Sequence, residues 1–158
     1  MILFTIGTIV YPFDRSITWL QTLIEQKIIN EPVLLQHGDT SIESLNHPMV
    51  DTTAWLDRNE MHRAVKESSL VISHAGQGST RMLADMGARF VLLPRLKRYG
   101  EHVDDHQLHF ARSVEKLGVH HCTELSQLKA YILNPPSPIP GKLFDSPNLV
   151  EHLIQQYV

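Results

Sequence analysis

Between residues 70 and 107 the chain reads LVISHAGQGSTRMLADMGARFVLLPRLKRYGEHVDDHQ, and the side chains best suited to hold an anion fall in this stretch. An apolar run, Leu70-Val71-Ile72, stops at Ser73-His74 and gives way to the small-residue turn Ala75-Gly76-Gln77-Gly78, after which Ser79 and Thr80 open a helix. Glycine lets a backbone approach a ligand closely, and the free N–H groups of a first helical turn suit phosphate oxygens. The same residues also fit a tight turn with Ser79 as an ordinary N-cap. A second apolar run, 90–93, stops at Pro94-Arg95 and leads to Glu101-His102-Val103-Asp104-Asp105-His106-Gln107. Arg95 would bring charge to a diphosphate, and His74 ends its strand toward the same crevice or is bonded to backbone. His106 and Gln107 stand at a helix mouth, where polar side chains hydrogen-bond ligand hydroxyls. The pattern suits a ligand that joins an anion to a polyhydroxylated group.

Familiar alternatives fit less well. A dinucleotide fingerprint needs a third small residue where Arg81 stands, and no Gly-Lys-Ser/Thr ending marks a P-loop. His102 and His106, four apart with Asp105 between them, have the spacing of a helical metal pair. Their place at a helix mouth favours ligand contact, so no metal is expected. Asp104 and Asp105 also suit the positive end of a helix. His120-His121-Cys122 reads as incidental packing, and no Ser/His/Asp or Cys/His set has a recognisable spacing.

The elements that must position these residues alternate. Short apolar runs at 2–6 and 32–36, each closed by glycine within a few residues, read as buried parallel strands. Residues 14–29 carry a helical stripe at Ile17, Leu20, Leu23, Ile24 and Ile28. The segment 40–56 is ambiguous, with a strand at 49–53; residues 57–67 read as a helix. After the two units above, 103–117 is predicted helical on a stripe of Val103, Phe110, Val114 and Leu117, followed by a strand at 119–122 and a helix at 124–133. Four prolines between 134 and 140 make an extended connector, and 146–157 reads as a closing amphipathic helix. The predicted fold class is α/β, a single doubly wound parallel sheet of Rossmann-like type. Residues 1–133 form that domain, and 134–158 form a connector and helix that pack on it or on a partner.

With 158 residues, 42% hydrophobic, the chain has the size of one globular domain with a substantial core. A net charge of -3 provides no basic excess for nucleic acid, although Arg95, Lys97 and Arg98 form a local group large enough for a diphosphate. The lone Cys122 fits a reducing cytoplasm, and no apolar run approaches ~18 residues. Residues 1–4 have no basic leader and read as strand, not signal peptide.

Residues 72–78, Pro94-Arg95, and Gly100-Glu101-His102 through Asp105-His106-Gln107 together resemble the C-terminal, donor-binding half of GT-B glycosyltransferases of family 28. The likeness extends over roughly residues 2–120. It is strongest to half-length members: the small subunit of the dolichol-linked N-acetylglucosamine transferase and PssE-like exopolysaccharide subunits. The resemblance implies that Gly7-Thr8 and Gly76 to Ser79, with Thr80, face a nucleotide diphosphate. It implies that Asp105-His106-Gln107 hold hydroxyls of the donor sugar, and that uracil meets backbone near Trp55-Leu56; Glu101 and His102 are further candidates for substrate binding. Many relatives have a ribose-binding glutamate where this chain has Met82; Asp85, one turn on, is a substitute candidate.

The resemblance further implies a donor subunit of a two-component inverting transferase. It would bind a UDP-sugar without cofactor and pass a hexose, N-acetylhexosamine or uronic acid to a lipid-linked saccharide. A membrane-anchored acceptor-binding subunit would supply the catalytic base and hold the chain peripherally at the inner, cytoplasmic membrane face. Leu149, Leu153 and Ile154 of the last helix are a candidate partner surface. The main alternative is a non-catalytic nucleotide-sugar-binding regulatory module; an epimerase or hydrolase relative is disfavoured, since those need a second domain in the chain.

Overall fold

The computed structural model describes residues 1–139. The predicted closing helix at 146–157 and its candidate partner surface lie outside the described residues. Five strands, β1 (Ile2–Thr5), β2 (Val33–Gln36), β3 (Val50–Thr53), β4 (Leu70–Ser73) and β5 (Phe90–Leu92), form one sheet in the order β3-β2-β1-β4-β5. Every pairing is parallel, with Phe4 opposite both Leu35 and Ile72.

The strands are short because each needs only four residues or fewer to cross the core, and β1 and β4 are buried at every position. Period-2 alternation sends their side chains to two cores. Ile2, Phe4, Leu70, Ile72 and Val91 pack with Ile17, Leu20, Leu23 and Ile24 of α1 (Asp14–Glu25) and Leu128 of α5 (Leu125–Leu133). Leu3, Val71, Phe90 and Leu92 pack with α2 (Arg58–Glu67), α3 (Gln77–Asp85) and α4 (His106–Glu115) through Val65, Leu83, Phe110 and Val114. Helices therefore cover both faces, as a doubly wound sheet requires. Asp57 and Glu60 form a reciprocal capping box at the start of α2.

Two predicted elements differ. The helix expected from 103 begins at His106, and Val103 is 60% exposed rather than part of an inward stripe. Gly100, at φ 68°, ends a short 3₁₀ turn, and the buried Glu101 carboxylate accepts the Leu96 N–H at 2.8 Å, holding the following residues in bends. The strand expected at 119–122 reduces to one parallel bridge between Leu92 and His121.

Candidate functional site

The strand order reverses between β1 and β4, which is where an open parallel sheet leaves a crevice at its carboxyl edge. Two loops meet there. The loop after β1 turns at Gly7, whose φ of 85° is a left-handed conformation that favours glycine. The loop after β4 begins at His74, whose N–H donates to the Thr5 carbonyl of β1 at 2.9 Å. Its imidazole is wedged between two glycine backbones. A Cβ on Gly7 would lie 3.3 Å from the ring, and one on Gly76 would lie 2.4 Å from Cε1. Gly76 is therefore required by the ring beside it.

Gly76 is also the N-cap of α3, and no side chain caps that helix. The first intrahelical bond runs from the Thr80 N–H to the Gly76 carbonyl at 3.0 Å, so the N–H groups of Gln77, Gly78 and Ser79 point out of the helix start. Ser79 is thus not the N-cap. Its Oγ lies 3.4 Å from His74 Nε2. Gly78 is exposed, with open space where a side chain would be.

Gln107, in the first turn of α4, ties the β4 and β5 loops together. Its Oε1 accepts the Ala75 N–H at 3.2 Å and the Arg95 N–H at 3.1 Å, and its Nε2 lies 3.3 Å from His74 Nδ1. Gly76 and Gln107 consequently both lie against the His74 ring. Burial, followed by the charges of Arg95 and His102, pushes His74 down to about 4, so the ring is neutral at pH 7.

Three residues expected at the ligand are turned inward. The Arg95 guanidinium has no exposure and lies 4.7 Å over the Phe13 ring. Its Nη2 donates to the Ile6 carbonyl at 2.6 Å, and Nη1 to the carbonyls of Tyr11 at 2.6 Å and Glu101 at 3.1 Å. Burial lowers it to about 10, still cationic at neutral pH. Its charge serves main-chain carbonyls of the two loops, and the basic group foreseen with Lys97 and Arg98 loses it. Glu101 is 2% exposed and takes the Arg15 Nε at 2.8 Å and Nη2 at 2.9 Å on its two oxygens. Thr80 is fully buried, and its hydroxyl donates to the Gly76 carbonyl at 2.8 Å.

The remaining expected residues stay at the rim. Thr8 is exposed, while His102, Asp105 and His106 are half-buried. His102 stacks on Tyr11 with ring centroids 6.2 Å apart. Asp105 accepts the Lys97 N–H at 3.0 Å; it is Asp104 that takes the His106 N–H, at 2.9 Å, a bond that lowers the Asp104 pKa. Because α4 starts at His106, His102 and His106 do not share a helix. Among the described residues no group of three His, Cys, Asp or Glu side chains is placed to hold a metal. Met82 packs against the second core, and Asp85 faces Arg81 across 3.8 Å at the surface.

Two residues that pattern reading missed brace the surrounding loops. Gln36, buried at the end of β2, accepts the Thr5 hydroxyl and donates to the carbonyls of Gly7 at 3.1 Å and Ala54 at 3.0 Å. A glutamine ending an apolar run was the available signal. Arg15 fixes Glu101 and also donates to the Pro94 carbonyl at 2.9 Å; nothing in its helical stripe marked it.

Residues 1–139 match the glycosyltransferase family 28 C-terminal domain. The chain belongs to that family. Solved structures agree on the fold. The solution structure of ALG13 is 19% identical with a TM-score of 0.61, covering 99% of this chain and 96% of that one. MurG of Acinetobacter baumannii is 23% identical with a TM-score of 0.60, over 84% of this chain and 41% of its own. SnogD of Streptomyces nogalater is 16% identical with a TM-score of 0.58, over 98% and 37%. The chain thus spans well under half the length of the MurG and SnogD chains. No curated protein matches. No helix among the described residues is long and apolar enough to cross a membrane.

Proposed function

We propose that this chain is the UDP-sugar-binding half of a two-component inverting glycosyltransferase. The observation that carries the reading is the crevice itself: uncapped N–H groups of α3, the Ser79 hydroxyl and the Gln107–His74 pair converge at the switch point of a family 28 domain. The pyrophosphate lies against the start of α3, where oriented N–H groups and the helix dipole favour negative charge. In transfer, an acceptor hydroxyl loses its proton to a base on the second subunit and attacks the anomeric carbon. The bond from that carbon to the UDP oxygen breaks, and the pair of electrons departs with the diphosphate. With Arg95 and Glu101 engaged elsewhere, neutral donors of this chain carry the stabilisation of the leaving group. Asp105 and His106, at the mouth of α4, are placed for sugar hydroxyls, and the backbone around Trp55, at the carboxyl end of β3, for the base.

Apolar exposure supports a second subunit over the same edge. Of the seven exposed large hydrophobic residues among the described residues, Ile9, Val10, Tyr11, Trp55, Tyr99 and Val103 lie on the loops after β1, β3 and β5. Concentration of apolar surface around a crevice marks an interface. In this reading the partner is membrane-anchored, binds a lipid-linked saccharide, and holds the chain at the cytoplasmic face of the membrane.

Calorimetric titration with UDP, UDP-sugars and NAD tests the donor site, and mixing with the membrane subunit tests the transfer. Uridine nucleotides are expected to bind, and sugar transfer to require both components. Binding of NAD alone would overturn the donor reading. Nucleotide-sugar binding with no transfer in any mixture would leave the regulatory-module reading, which Met82, with no carboxylate for a ribose, favours.

Gly78→Ala gives a sharper check, because its two effects have opposite signs. Alanine in a helix is more favourable than glycine by about 1 kcal/mol, and the open space at Gly78 accepts the methyl group. The variant is expected to unfold at higher denaturant yet bind UDP at least tenfold more weakly, since the methyl occupies the space the phosphate needs. Unchanged UDP affinity would place the diphosphate elsewhere.

A further inference from the structure

We propose that Gln107 is a positioning residue that locks His74 as the Nε2–H tautomer and thereby turns the Ser79 hydroxyl into a hydrogen-bond donor aimed at the bound diphosphate. This deepens the donor-site reading and rests on it.

The chain of donors and acceptors starts from backbone. Two main-chain N–H groups, of Ala75 and Arg95, converge on one terminal atom of the Gln107 carboxamide. That atom must be the oxygen, since an NH₂ cannot accept. The amide orientation is thereby fixed, and the NH₂ faces His74 Nδ1 at 3.3 Å. An amide NH₂ only donates, so Nδ1 must present its lone pair. In a neutral imidazole the proton then resides on Nε2. Nε2–H faces the Ser79 Oγ at 3.4 Å and donates to it. With its oxygen already accepting, Ser79 has its own proton free to donate, beside the outward N–H groups of the first turn of α3.

The surroundings agree. The glycine backbones of Gly7 and Gly76 hold the plane of the ring, and the Gln107 and Ser79 contacts at its edge set which way its nitrogens face. An imidazolium would set an Nδ1–H against the amide NH₂, and the nearby charges of Arg95 and His102 oppose it as well. Gln107 thus acts on the phosphate end of the ligand through two intermediaries, whereas its place in the Asp-His-Gln segment suggested the sugar end.

The test needs no ligand for its first part. Ring-nitrogen NMR of ¹⁵N-histidine-labelled protein at pH 7 is expected to show His74 protonated on Nε2. Gln107→Glu keeps an oxygen for the Ala75 and Arg95 N–H groups but puts a second acceptor against Nδ1. The proton is expected to move to Nδ1, and Ser79 must then donate to Nε2. UDP affinity is expected to fall about tenfold, the loss of one hydrogen bond to a charged group. In a Ser79→Ala background the same Gln107→Glu change is expected to cost less than half as many decades. A carboxylate acting by repulsion alone would cost the same in both backgrounds, and that equality, or an Nδ1–H signal in the unaltered protein, overturns the lock. If the unaltered protein fails to bind UDP, the donor-site reading falls, while the ring signal still decides the tautomer.

Discussion

Arg95→Met is expected to destabilise the protein by about 3–5 kcal/mol, the cost of removing one side of a buried charged hydrogen-bond set. The guanidinium bonds carbonyls of Ile6, Tyr11 and Glu101, and methionine replaces its volume without replacing a single donor. Three acceptors are left in or near the core, two of them in the loop after β1 that forms one wall of the crevice. Arg95→Lys recovers only part of the loss, because an ammonium lacks the planar fork that spans carbonyls on separate segments. Urea denaturation read by circular dichroism measures both variants. A loss under about 1 kcal/mol for Arg95→Met, together with abolished UDP binding, would mean that the arginine serves the ligand and not the loops.

The distinction between Arg95 and Arg15 shows where sequence reading stops. Both are arginines near predicted loops, and the partners that decide their roles lie 84 and 89 residues away from Arg95, and 86 from Arg15. No local pattern encodes such a pairing. The sheet was legible because fully buried parallel strands read as continuous apolar runs, and 70–72 is one. The turn into α3 was legible because small residues directly follow such a run, although the same residues also fit an ordinary tight turn. The start of α4 was not. Val103 satisfies the stripe arithmetic, but Glu101 is tethered to Leu96 and Arg15, and the bends this imposes delay the helix to His106. The place of Gln107 in the first turn of α4 was legible, while its bonds to two main-chain N–H groups depend on how the β4 and β5 loops meet.

His74 makes the protein's stability depend on pH in a window set by its own burial. Unfolded, an imidazole titrates near its ordinary 6.5; folded, burial and the charges of Arg95 and His102 bring it to about 4. Between these values the unfolded chain binds more protons than the native one, so stability is full above 6.5 and declines as pH falls toward 4. The shift corresponds to about 3 kcal/mol. His121, also lowered chiefly by burial, adds a smaller contribution of the same sign. Asp104 has its pKa lowered mainly by the His106 N–H, and its stabilising effect is lost only in acid below its ordinary 3.8, outside this window. Urea midpoints at pH 7.5 and 4.5 should therefore differ strongly in the unaltered protein and much less in His74→Phe. That variant keeps a ring between Gly7 and Gly76 and leaves the Gln107 NH₂ unpaired, so it is weaker at pH 7.5 but declines less across the range, with the His121 contribution remaining. An equally steep decline in His74→Phe would show that another group carries the acid sensitivity, and that His74 is free to charge inside the crevice.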